Sequence, residues 1–141
     1  MRVVVIGAGN VATHLSVAIA SLADMEIIQV YSHTEIHAQV LATRLQCDYT
    51  ADLSHIRNDA DIYLFALKDQ ALESVICSIP SNNGLWLHTS GSMPISVFSG
   101  FTERYGVLYP LQTFSKSREI SFEGIPLFIE CYRKDDKELL E

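Results

Sequence analysis

Apolar positions along this chain change period several times, and each change marks a new element. Arg2-Val-Val-Val-Ile6 is a β-branched run, and helical spacing starts directly behind it through Val11, Leu15, Ala18, Ile19 and Leu22. That pattern predicts a strand followed by a helix. Glu26-Ile-Ile-Gln-Val-Tyr31 reads as a second strand, and residues 35–44 as a second helix with Ile36, Val40 and Leu41 toward a sheet. A short strand near Cys47–Tyr49 and a brief helix around Leu53–Arg57 follow. Asp61-Ile-Tyr-Leu-Phe-Ala66 is a nearly continuous apolar run, the mark of a strand covered on both faces. Gln70 to Ile79 is helical again through Ala71, Leu72, Val75 and Ile76, until Pro80 and Ser81-Asn-Asn-Gly84 break the chain. Leu85-Trp-Leu-His88 and Tyr105-Gly-Val-Leu-Tyr109 are further strands, and Pro94 opens a short helix between them. Residues 111–124 read as loop, and Ile125–Glu130 as a last strand whose direction the pattern leaves open.

Strands that alternate with helices pair in parallel through right-handed crossovers. The expected fold is therefore α/β: a doubly wound, mostly parallel sheet in three α/β/α layers, in the order 3-2-1-4-5-6 with a seventh strand beyond. Ligands of such sheets lie outside the carboxyl ends of the strands, where the strand order reverses between the first and the fourth. Five stretches then matter most: Gly7–Ala12, Ser32–Thr34, Leu67–Gln70, His88–Ser92 and Pro110–Phe114.

The first of these is Gly7-Ala-Gly-Asn-Val-Ala12, a G-x-G-x-x-A turn set between a strand and a helix. Gly7 permits the tight turn, Gly9 lets backbone approach a pyrophosphate, and Ala12 lets the helix pack closely on the strand. The helix N-terminus, through Asn10, Val11 and Ala12, turns free N–H groups and a positive dipole end toward phosphate. This is read as a dinucleotide site; a ligand-free glycine turn is the bland alternative. After the second strand, Ser32-His33-Thr34 supplies two hydroxyls and an imidazole in place of the carboxylate that commonly binds an NAD ribose. All three can donate to a 2′-phosphate, so NADP is expected over NAD, with Glu35 as the residue that would favour NAD instead. Ser32-x-x-Glu35 also fits a capping box for the second helix, and both roles can hold together. Leu67 and Lys68 follow the fourth strand, under the nicotinamide half. Lys68 is read as a donor to cofactor or substrate, with a solvated lysine as the equal alternative, and Asp69 as a helix cap first and a catalytic group second. His88, Ser90 and Lys68 are the candidate catalytic residues, with His88 as a proton donor, although a histidine there also fits a satisfied structural role.

Composition changes little beyond this. A length of 141 residues suits one domain, and 48% hydrophobic with 19% charged residues is ordinary for a globular protein. A net charge of −7 argues against nucleic acid as a partner, and no apolar run is long enough for a membrane span. Cys47, Cys77 and Cys131 are odd in number and widely spaced, as expected of reduced, mostly buried thiols in a cytoplasmic protein. His14, His37 and His55 lack metal-ligand spacing, so no metal site is expected.

Five blocks together resemble one bacterial family. They are Val5-Ile-Gly-Ala-Gly-Asn-Val-Ala-Thr-His-Leu15, Tyr31-Ser-His-Thr34, Ala66-Leu-Lys-Asp-Gln70, His88-Thr-Ser-Gly-Ser92 and Gly106-Val-Leu-Tyr-Pro-Leu-Gln-Thr-Phe114. The family comprises candidate NADP-dependent oxidoreductases with a Rossmann-like N-terminal domain and a helical C-terminal domain of unknown function. It belongs with pyrroline-5-carboxylate reductases, deazaflavin-dependent NADP reductases and 6-phosphogluconate dehydrogenase-like enzymes. The resemblance implies a dinucleotide-binding domain over residues 1–130, with 131–141 the start of a helix leading toward the helical domain. It also implies NADP as cofactor and hydride transfer to or from a small imine, carbonyl or alcohol. The 141-residue chain alone is expected to be inactive. Two departures stand out: His33 where the group often has arginine, and a chain that stops where the family continues. The alternative is a non-catalytic dinucleotide-binding regulatory or interaction module. A small-molecule substrate is the expected partner, and a homodimer stays open.

Overall fold

The computed structural model of the protein describes residues 1–111 and 126–141. Its strands are β1 (Arg2–Ile6), β2 (Glu26–Tyr31), β3 (Asp48–Thr50), β4 (Ile62–Phe65), β5 (Leu85–His88), β6 (Tyr105–Pro110) and β7 (Leu127–Cys131). Its helices are α1 (Asn10–Ala20), α2 (Glu35–Leu45), α3 (Asp69–Ile76) and α4 (Lys134–Leu140), with 3₁₀ turns at Leu53–His55 and Ile95–Phe98. One seven-stranded sheet runs β3-β2-β1-β4-β5-β6-β7. Every pairing is parallel except β6 with β7, which is antiparallel and settles the direction of the last strand. The expected loop over 111–124 lies outside the described residues apart from Leu111, as does most of the Pro110–Phe114 stretch.

Two apolar layers hold the sheet between its helices, because successive side chains of a strand point to opposite faces. Val3, Val5, Ile62, Leu64, Leu85 and Leu87 pack on one face with Ala12 and Leu15 of α1 and Ala38, Leu41 and Ala42 of α2. Val4, Ile6, Tyr63, Phe65, Trp86, Phe98 and Tyr105 fill the other with Leu72, Val75 and Ile76 of α3. Both faces of β1 and β4 are thus buried, as their unbroken apolar runs require.

Helix orientation departs from the expected pattern in two places. In α2 the buried residues are Ala38, Leu41 and Ala42, while Ile36 and Val40 are 57% and 63% exposed. Alanines at 38 and 42 let the helix axis come closer to the sheet than isoleucine or valine would, so the apolar pair at 36 and 40 falls on the far side. In α1 Leu15 is buried, Val11, Ala18 and Ile19 are half-buried, and Leu22 lies past the helix end, 53% exposed. Polar Thr13, His14 and Ser16 share the buried face instead. Thr13 Oγ1 donates to the Gly9 carbonyl at 2.7 Å and Ser16 Oγ to the Thr13 carbonyl at 3.1 Å, so burial leaves neither hydroxyl unpaired.

The cysteines are all free, and Cys77 is exposed while Cys47 and Cys131 are half-buried, less buried than expected. Burial first, then Asp48 and Asp136 respectively, pushes the thiols of Cys47 and Cys131 up to about 11, so neither is a ready nucleophile. Among the described residues no helix is long and apolar enough to cross a membrane. No group of His, Cys, Asp or Glu among them is placed to hold a metal ion.

Candidate functional site at the carboxyl edge

Sheet register lines up the strand ends. Ile6 of β1 lies opposite Tyr31 of β2 and Phe65 of β4, Phe65 lies opposite His88 of β5, and His88 opposite Val107 of β6. The loops that follow these residues therefore emerge along one edge, with the strand order reversing between β1 and β4.

At the centre of that edge the chain is squeezed between its neighbours. Gly7 N–H donates to the Tyr31 carbonyl at 2.7 Å, and Ala66 N–H donates to the Ile6 carbonyl at 2.9 Å. Gly7 has a φ of +121°, and a Cβ there would fall 2.2 Å from the Ala66 carbonyl oxygen. Only glycine satisfies both demands. Gly9 differs in kind. It is exposed, has an ordinary extended φ of −80°, and a Cβ built on it would meet nothing within 4 Å. Nothing in the fold itself therefore demands glycine at position 9. The space a side chain would fill there lies directly before α1, whose N-terminus carries no side-chain cap and no acidic residue in its first turn. Asn10 is exposed, Val11 half-buried and Ala12 fully buried against the sheet. An uncapped, dipole-positive helix end beside an open backbone approach is the geometry that receives a phosphate. The residues present thus fit a dinucleotide pyrophosphate.

At the end of β2, Ser32 is buried and its Oγ accepts from Thr34 N–H at 3.3 Å. That bond closes a turn inside the loop; the residue flanking α2 is Thr34, with no side-chain cap. The expected Ser32–Glu35 capping box is therefore not formed, since Ser32 sits two residues too early and its oxygen is already engaged. His33 is exposed, Thr34 is half-buried, and Thr34 Oγ1 lies 3.3 Å from His33 Nε2.

The ends of β4 and β5 are joined by side chains. Leu67 is half-buried, and Lys68, exposed, flanks the start of α3. Asp69 is the first residue of that helix, and its Oδ2 accepts from Ser92 Oγ at 2.6 Å. It caps no helix, contrary to expectation; it ties the β4–α3 loop to the loop after β5. The hydrogen bond from Ser92 holds its carboxyl below the usual carboxylate range. Ser90 Oγ accepts from the N–H groups of Ser92 at 3.1 Å and Met93 at 3.0 Å, and lies 3.3 Å from Ser92 Oγ. Because Ser92 gives its proton to Asp69, Ser90 is the donor in that last contact. One donor and two acceptor sites exhaust a hydroxyl, so Ser90 braces the loop. Ser92, exposed, keeps one lone pair open.

His88 is fully buried. Its Nδ1 accepts from Ser90 N–H at 3.1 Å, which leaves the ring proton on Nε2, 3.3 Å from the Pro94 carbonyl. Its ring lies 5.7 Å from that of Phe98, and burial pushes its pKa down. Both nitrogens are committed to backbone, and His88 holds the loop that carries Ser90 and Ser92. The tie from Asp69 to Ser92 is not foreseen from the sequence, which reads Asp69 first as a helix cap. Tyr109 of β6 packs against the same loop, for a Cβ on Gly91 would fall 2.7 Å from its ring.

Comparison with known proteins places this geometry. A family model described as "NADP oxidoreductase coenzyme F420-dependent" matches residues 2–87. A Bacteroides fragilis protein described as a candidate NADP oxidoreductase shares 40% identity over 99% of this chain and 54% of its own, with a TM-score of 0.88. The 1-pyrroline-5-carboxylate reductase of Streptococcus pyogenes matches at 12% identity and a TM-score of 0.74, over 99% of this chain and 53% of its own. The prephenate dehydrogenase of A. aeolicus gives 11% identity and a TM-score of 0.75, over 99% and 54%. The latter two show the shared Rossmann-like fold alone. This chain spans about half the length of these solved structures. No curated protein matches it.

Proposed function

Since the chain belongs to the family described as "NADP oxidoreductase coenzyme F420-dependent", we propose that it is the NADP(H)-binding domain of an oxidoreductase. The transfer would be of hydride between NADP(H) and a small imine, carbonyl or alcohol. The observation that carries this reading is Gly9: exposed, conformationally undemanding, and open to 4 Å where a Cβ would stand, at the uncapped start of α1. When bound, the nicotinamide supplies the hydride chemistry. Gly7, Gly9, Asn10, Val11 and Ala12 present backbone to the pyrophosphate, and Ser32, His33 and Thr34 surround the adenosine ribose. Leu67 and Lys68 border the nicotinamide half.

On the substrate side, Lys68 and Ser92 retain free hydrogen-bonding capacity, while His88 and Ser90 keep the loop in place. Residues 1–130 form the dinucleotide domain in this reading. In the same reading the helix of residues 131–141 leads toward a helical domain that closes the substrate cleft. Relatives of about twice this length have the chain to supply such a second wall, and without one, water reaches the reacting centre. Isothermal titration of the 141-residue chain with NADPH and NADH tests the core of the reading. Binding of NADPH, tighter than NADH, is the expected result. Absence of binding by both would end it.

A further inference from the structure

A doubly wound sheet consists of two mononucleotide-binding halves. With the pyrophosphate at the β1 turn and the adenosine ribose at the end of β2, the nicotinamide lies over the ends of β4 and β5. The polar groups there differ sharply in what they offer. His88 is buried, with both ring nitrogens engaged, and Ser90 has no capacity left. Lys68 is exposed and joins no ion pair among the described residues; its long stem leaves the ammonium in water. Asp69 is the fixed charge, because the 2.6 Å bond from Ser92 holds its carboxylate at the mouth of the loop. The hydrogen bond from Ser92 also keeps it ionised. An oxidised nicotinamide ring carries a positive charge, and a reduced ring carries none. A fixed carboxylate beside the ring therefore acts on one redox form only.

We propose that Asp69, pinned by Ser92, sets the redox preference of the site by favouring the oxidised, cationic dinucleotide over the reduced one. This rests on the reading of the β1 turn as a dinucleotide site. Through linkage, a tighter hold on the oxidised form makes hydride donation more favourable, so Asp69 biases the domain toward reducing its substrate.

Isothermal titration of the 141-residue chain with NADP⁺, NADPH and 2′,5′-ADP at low ionic strength tests this. Asp69→Asn keeps a carbonyl oxygen for Ser92 and removes the charge. It weakens NADP⁺ about three- to tenfold, while NADPH and 2′,5′-ADP, the latter reporting the adenine half alone, stay unchanged. The effect shrinks in roughly 0.5 M salt, where charge is screened; a packing change would not respond in that way. Ser92→Ala keeps the charge but releases it, and reduces the preference less than Asp69→Asn does. An unchanged NADP⁺/NADPH ratio in Asp69→Asn, with all three probes still binding, overturns the role of Asp69 and leaves the dinucleotide site standing. Equal loss for both redox forms does the same. Failure of all three probes to bind the wild-type chain removes the dinucleotide reading and this inference with it.

Discussion

At the end of β1 the site is made of backbone: Gly7 forced by its neighbours, Gly9 left open, and a helix terminus with no side chain across it. At the ends of β4 and β5 the site is made of side chains, with Asp69, Ser92, Ser90 and His88 linked in one hydrogen-bonded chain. The first region recognises whatever fits close to a main chain, which suits a pyrophosphate common to many cofactors. In the proposed reading the second places specific charges and hydroxyls where a reacting group would lie, so that one region is a general grip and the other sets what is done with the thing gripped.

The sharpest way to break this comparison is to substitute the two glycines separately. Gly7→Ala adds a Cβ 2.2 Å from the Ala66 carbonyl at a positive φ, and strain of that kind with a backbone clash costs about 3 kcal/mol or more. That is a large share of the roughly 5–15 kcal/mol holding a domain together, so the expected result is an unfolded or strongly destabilised chain by thermal denaturation. The Cβ that Gly9→Val adds meets nothing within 4 Å. The substitution keeps the fold, and it weakens NADPH by about a hundredfold or more because the side chain occupies the pyrophosphate approach. Equal effects of the two substitutions on stability would remove the distinction, and a folded Gly9→Val chain with unchanged NADPH affinity would remove the site.

The same contrast decides what was legible in the sequence. Glycine spacing between a β-branched run and a helix reports backbone geometry directly, so the β1 turn and the strand order followed from the pattern. Hydrogen bonds such as Asp69–Ser92 join residues 23 positions apart, and no local period encodes them. His88 was visible as a polar residue at a strand end, yet the donors and acceptors that consume its nitrogens come from the folding back of residues 90–94. The misplaced face of α2 has a different cause. Apolar periodicity marks a buried face only when side-chain size matters more than closeness of approach, and Ala38 and Ala42 reverse that balance. The direction of β7 could not be read at all, because a strand run carries no polarity.

A second test weighs the side-chain region by pH. His88 is held neutral in the folded state, with its pKa pushed down by burial, whereas an unfolded histidine titrates near pH 6.5. The unfolded chain therefore binds more protons in the window below about pH 6.5, and stability present at pH 7.5 is lost as pH falls through that value toward the lowered folded one. His88→Phe keeps the packing against Phe98 but strands the Ser90 N–H and the Pro94 carbonyl. That change costs about 2 kcal/mol, or roughly 6 °C in Tm at this size, and it takes away part of the acid sensitivity. Thermal melts of both proteins at pH 7.5 and 5.5 measure it. Parallel curves would mean that His88 is not held neutral by the fold.

The smallest expected effect sharpens the boundary of the backbone region, at the end of β2. His33 is exposed beside Thr34, with Ser32 already engaged in its own turn. Of the three residues read as phosphate donors, His33 is the exposed one. Hydrogen bonds from a charged donor to a phosphate are about twice as strong as neutral ones. Arginine carries that charge at every working pH and offers a bidentate fork, where His33 offers a single imidazole. His33→Arg should then raise the NADPH/NADH affinity ratio about fivefold at pH 8. Phosphate titrates near pH 6 itself, so the comparison at pH 8 is the cleaner one. A ratio that stays the same in His33→Arg at pH 8 would place the 2′-phosphate away from β2, and it would leave Glu35, the first residue of α2, free to receive an unphosphorylated ribose.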